Sequence, residues 1–252
     1  FQAEDGIRDL VRSRGLGDVY KRQEVAAGVA DHSQYKTDPL GRLNRTSFFV
    51  TTVNYGAMPE VQEAVAVVRA AHKPVSGTSE RGIAYSANQP QLGAWVQNTL
   101  TDSFLDAYQN FCQPLEPKDA DRFVLEQSKI GELLGISELP LTARELREWI
   151  TEHPQLGSSE ALRQAWTFLQ KPPLQPSQLL GYRIVRAAAV STLPTNLAVL
   201  ANASSPRGSF FAGRRLIASL RWALKHSPSW KAALDRCGAP YDARTFRSFE
   251  DR

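Results

Sequence analysis

Cysteine is nearly absent from the chain: there are two, Cys112 and Cys237, far apart and flanked by nothing metal-like. That excludes a disulfide framework and any C-x-x-C site, and leaves two buried or incidental thiols. Histidine is scarce as well, with His32, His72, His153 and His226 and no H-E-x-x-H pair. G-x-S-x-G, a Walker loop and G-x-G-x-x-G are all missing, which removes the common hydrolase, nucleotide and dinucleotide readings. No run reaches the roughly 20 apolar residues of a membrane span, and the long uncharged stretch 187–206 is broken by STLPTN. A dominant charge of one sign is missing too. The 30 Lys and Arg stand against 26 Asp and Glu, a net charge of +4. Nucleic-acid binding would call for a concentrated basic stripe.

The first 23 residues lack any helical or strand period and pack nine charges of mixed sign among three glycines. Their spelling is informative. QAEDGIRD (Gln2 to Asp9) and SRGLGDVYKRQ (Ser13 to Gln23) are in-frame translations of two sequencing-library adapter ends, separated by Leu10, Val11 and Arg12. Phe1–Gln23 is therefore expected to be translated adapter lying apart from the fold, with an N-terminally truncated domain over 24–236 and a C-terminal tail over 237–252. The expected location is cytoplasmic.

What is present is helical pattern. MPEVQEAVAVVRAAHKPV (58–75) has Pro59 and two acids in its first turns and stops before Pro74. Residues 88–112 place Leu92, Val96, Leu100, Phe104, Ala107 and Phe111 at three- and four-residue spacing, which predicts a broad buried stripe. Residues 117–135 end on Gly135. Thr142 with Glu145 forms a capping-box signature, and Ser158 or Ser159 caps EALRQAWTFLQ. Further helices are predicted at 176–192, 194–202, 207–226 and 228–236. The one extended candidate is RGIAYSA (81–87). The fold class is all-α.

An all-α chain without other catalytic constellations suits a borrowed cofactor, for which protein supplies ligands and a dry pocket. Val61, Val65, Val68 and His72 fall at i, i+4, i+7 and i+11, so His72 is expected on the apolar face of its helix. It reads either as a hydrogen-bonded core residue or as an axial ligand to buried iron. His32 reads as a capping residue, His153, before Pro154, as a solvated helix end, and His226 as suited to a basic helix terminus. The acid-free segment FFAGRRLIASLRWALKHSP (210–228) reads as a solvated basic face, with a peripheral contact to an anionic membrane or to cofactor carboxylates as the sharper reading.

Several spaced motifs occur in one order: VAAGVADHSQYKTDPLGRLNRT (25–46), VNYG (53–56), VVRAAHKPVSGT (67–78), GIAYSANQPQLGAWV (82–96) and ELLG (132–135) followed by Leu139-Pro140. Together they resemble the oxygenase family that groups uncharacterised bacterial proteins with the mycophenolic-acid-pathway B protein and the rubber oxygenases, or latex clearing proteins. The resemblance implies a globin-like helical domain binding haem b, with dioxygen cleaving a double bond in an apolar, prenyl-like substrate. It implies His72 as the iron ligand, Arg42 and Thr46 beside haem propionate or bound oxygen, and His32 in the family's HS pair. Gln97 stands where the family pattern W-V-H has histidine, and can hydrogen-bond but not bind iron comparably. A second reading keeps the scaffold as a non-catalytic binding protein for a lipid-like ligand.

Overall fold

The computed structural model describes residues 19–137, 139–224 and 227–240. Proline and short polar caps punctuate it. Proline stands in the first turn of six helices, where its missing N–H would have no intrahelical partner anyway. The order is α1 (Gln23–His32), α2 (Pro39–Tyr55), α3 (Met58–His72), β1 (Ser76–Thr78), β2 (Ala84–Ser86), α4 (Pro90–Phe111), α5 (Pro117–Leu133) and α6 (Ala143–Thr151). It continues with α7 (Glu160–Gln170), α8 (Pro176–Ser191), α9 (Thr195–Leu200), α10 (Ser209–Leu224) and α11 (Pro228–Cys237). The all-α expectation holds. The extended candidate resolves into half of a small antiparallel hairpin, Ser76 facing Ser86 and Thr78 facing Ala84.

Local chemistry explains the boundaries. Thr142 accepts from the Glu145 N–H while Glu145 accepts from the Thr142 N–H, closing the predicted capping box. Of the two serines before α7, Ser159 is the cap, its hydroxyl accepting from Leu162 N–H at 3.0 Å. Gly135 ends α5 at φ +81°, a conformation that favours glycine.

The central helix is α4, which packs against α5, α6 and α10. Its stripe differs from the expected one. Val96 is exposed, whereas Trp95 is fully buried and Leu92 and Leu105 nearly so. Gln97, Asn98, Thr99, Thr101, Asp102 and Ser103 are buried as well, because neighbours cover α4 on almost every side. The main core joins Trp95, Leu92 and Leu105 to Val124 of α5, Leu146 and Ile150 of α6, and Leu197 of α9. A second core sets Phe111 and Cys112 against Val185, Ala188 and Ala189 of α8 and Ile217 of α10. The thiols follow expectation, Cys112 buried and Cys237 exposed, both free.

The end of the supposed adapter segment does not lie apart from the fold. Tyr20, Lys21 and Arg22 are buried, and Tyr20 packs with Ala26, Ala161, Leu162 and Ala165. Trp95 donates its indole N–H to the Val19 carbonyl at 3.0 Å, and Arg22 donates to the Gln91 carbonyl at 2.9 Å. This corrects the expectation for 19–23: an aromatic and two long aliphatic stems fill a gap between α1, α4 and α7. Residues 1–18 and the expected tail beyond Pro240 lie outside the described residues, as do Lys225 and His226.

Candidate functional site

The turn after α3 is held from three sides. The His72 carbonyl accepts from Val75 N–H at 3.1 Å and from the Asn88 side chain at 3.3 Å. Four residues on, the Ser76 carbonyl lies 3.0 Å from His32 Nε2, so that ring nitrogen is the donor. Tyr85 of β2 is buried, and its hydroxyl donates to Asp31 at 2.8 Å. Two glycines make room for that ring. A Cβ at Gly77 would sit 2.6 Å from the Tyr85 oxygen, and one at Gly28 would sit 3.3 Å from its edge. The motif residues Gly28, Asp31, His32, Gly77 and Tyr85 thus form one anchor, which ties the hairpin to α1 and fixes the chain leaving His72.

His72 itself is exposed, which corrects the expectation of a core-facing imidazole. Val61 and Val65 on its stripe are buried and Val68 is half-buried, but the helix runs on past the neighbours that cover them. Surrounding protein still desolvates the ring enough to lower its pKa, favouring the neutral form. No hydrogen bond reaches either of its ring nitrogens among the described residues.

Arg42 and Thr46 lie one turn apart on α2, as expected, and Thr46 Oγ1 donates to the Arg42 carbonyl at 3.1 Å. The Arg42 guanidinium is half-buried in a tyrosine cluster, 3.5 Å from Tyr20 Oη and 5.8 Å from the Tyr35 ring centroid. Tyr35 in turn meets Phe168 of α7 edge-on. A shallow groove of about 590 Å³ beside it is lined by Lys36, Arg163, Phe168 and Lys171. No hydrogen bond or ring contact links Arg42 or Thr46 to His72 among the described residues. Gln97 is placed elsewhere. Its side chain donates to the Gln127 carbonyl at 3.1 Å, and the Gln127 side chain donates to Asn54 near the end of α2. Asn54 is twelve residues from Arg42, about 18 Å along a helix, so Gln97 joins the opposite end of α2.

Three features escaped the residue patterns. One is the tyrosine pair around Arg42. Another is Arg147, which reaches Asp102 at 3.1 Å and Asp106 at 3.2 Å on α4. The third is His153, whose ring lies 5.0 Å from Trp95 and 4.9 Å from Trp149, corrected from a solvated end to an aromatic contact. The carboxylate pair at i, i+4 inside a stripe-bearing helix was the available signal for Arg147. The other two depend on contacts between distant segments.

The donor set bears on the cofactor. No cluster of three His, Cys, Asp or Glu side chains suited to a metal occurs among the described residues. The accessible imidazole of His72, its neutral form favoured, fits a macrocycle that brings its own iron. It does not fit an iron held by protein ligands alone.

The family described as the ER-bound oxygenase mpaB/B′/rubber oxygenase catalytic domain matches residues 21–222. No curated protein and no solved structure matches the chain. Among the described residues no helix is long and apolar enough to cross a membrane. The match covers most of the chain, including the anchor, α2, α3 and the central helix, and the protein therefore belongs to the mpaB and rubber oxygenase catalytic-domain family.

Proposed function

We propose that the protein is a haem b-dependent oxygenase that delivers dioxygen to a carbon–carbon double bond of an apolar, prenyl-like substrate. The observation that carries the reading is His72: an accessible, neutral-favouring imidazole at a helix end whose carbonyl and following turn are anchored. The bound haem would supply dioxygen binding and its activation.

The chain's own residues have distinct tasks. His72 offers Nε2 to the iron. His32, Asp31 and Tyr85 act through the backbone, holding the turn from which His72 projects. Arg42 offers a permanent cation to haem propionate, partly occupied with Tyr20 and Tyr35, and Thr46 adds a hydroxyl one turn along. Val68, one turn before His72 on the same helix face and half-buried, offers apolar surface beside the imidazole. Gln97 braces α4 against α5, away from these residues.

Full-length protein supplied with haem should show a Soret band that His72→Ala abolishes or strongly shifts. Absence of the band after haem is supplied overturns the oxygenase reading. In that case, retention of a fluorescent fatty acid would favour the lipid-binding scaffold.

A further inference from the structure

One long stretch in the C-terminal half of the chain is charged with one sign. Residues 161–234 contain ten Lys and Arg and no Asp or Glu, so all 26 acids lie elsewhere. Helices α8, α9 and α10 fall inside this stretch. The inner face of α10 is occupied: Gly213 and Ile217 are buried, and Phe210, Leu216 and Leu220 pack on the second core.

The outer face is different. Phe211, Arg215, Ala218 and Trp222 recur at i, i+4, i+7 and i+11 and are all exposed. Phe211 is 67% and Trp222 75% accessible, with the two separated by eleven residues, about 16 Å along the axis. Tryptophan is ordinarily among the more covered residues. Leu180 on the adjoining α8 is 69% accessible, and Arg183, one turn on, is exposed too. Aromatic side chains at both ends of a helical stripe, with arginine between them and no acid in residues 161–234, suit a headgroup boundary, where rings sink and guanidinium groups meet phosphate.

We propose that the outer face of α10, with Leu180 and Arg183 of α8, docks peripherally on an anionic lipid surface. Charge complementarity selects this occupant. A second copy of the same face would set like charges against each other. Nucleic acid would favour a continuous basic track over two isolated aromatics. The inference is independent of the haem reading.

The test is co-sedimentation of the full chain with vesicles of phosphatidylcholine alone and with added phosphatidylserine. Binding is expected on the anionic vesicles only, and should weaken as salt shortens the Debye length. Arg215→Ala should weaken it on the order of fivefold, Trp222→Ala should weaken it while circular dichroism stays unchanged, and Leu125→Ala, exposed on α5, should leave it intact. Equal binding to both vesicle types, no binding, or indifference to both Trp222→Ala and Arg215→Ala overturns the proposal. So does a dimer that Trp222→Ala dissolves, or retention on nucleic acid without vesicle binding.

Discussion

Tyr85 is the keystone of the hairpin: its hydroxyl donates to Asp31 at 2.8 Å while its ring fills the space left by Gly28 and Gly77. Burial, then the hydrogen bond and charge of Asp31, push its pKa up to about 12. The folded value is raised, so this contribution to stability is fully present below the ordinary phenol value near 10 and is lost as pH rises toward 12. Tyr85→Phe keeps the ring and removes the bond. It should cost about 1 kcal/mol in urea unfolding and flatten stability between those two pH values.

Glu24 is buried and accepts two hydrogen bonds from Arg81, at 2.7 and 2.9 Å, with Arg22 at 3.7 Å. Burial alone would raise its pKa, but the Arg81 hydrogen bonds and the two cations outweigh it and hold the carboxyl below its usual range. The stabilisation is thus present above the ordinary carboxylate pKa and lost as pH falls through the lowered folded value. Glu24→Gln should cost about 2–4 kcal/mol by leaving Arg22 without its counter-charge, and should weaken the acid dependence of the thermal midpoint.

His72 and His153 should separate cleanly. His72→Ala should remove or shift the Soret band with helicity retained. His153→Ala should leave the band alone but cost about 1–2 kcal/mol by vacating the contact with Trp95 and Trp149. Both pKa values are lowered, chiefly by burial, so their unfolded counterparts protonate first. Stability should therefore decline as pH drops below the ordinary imidazole value, and the decline should be smaller in either variant.

Gly213 lets α10 approach α8. A Cβ there would meet the Ala188 Cβ at 2.3 Å and the Phe111 ring at 3.0 Å. Gly213→Ala should destabilise by about 1–3 kcal/mol despite its better helix propensity, seen as a lower denaturant midpoint.

Helix existence and ends were legible because proline and capping residues act within a few positions, as Thr142 with Glu145 and Pro117 at the first position of α5 show. Coverage was not. The spacing of Val61, Val65 and His72 names one helix face correctly, yet how far neighbours extend along it depends on segments distant in the chain. The same limit applies to His153: Pro154 marks a helix end, while the contact with Trp95 crosses 58 residues of sequence. Arg42 and Thr46 share a helix turn as their spacing dictates, but Tyr20 and Tyr35, which occupy Arg42, carry no local signature of that task.

Helix α2, seventeen residues without one fully buried side chain, has a consequence for how the molecule opens. Its backbone hydrogen bonds are protected by less packing than those of α4, so its amides should exchange through smaller, more frequent openings than the central helix allows. A group seated against Arg42 and Thr46 would close those openings in proportion to its occupancy. Exchange protection along 39–55 is therefore a ligand gauge built into the backbone, readable one amide at a time and without reference to turnover.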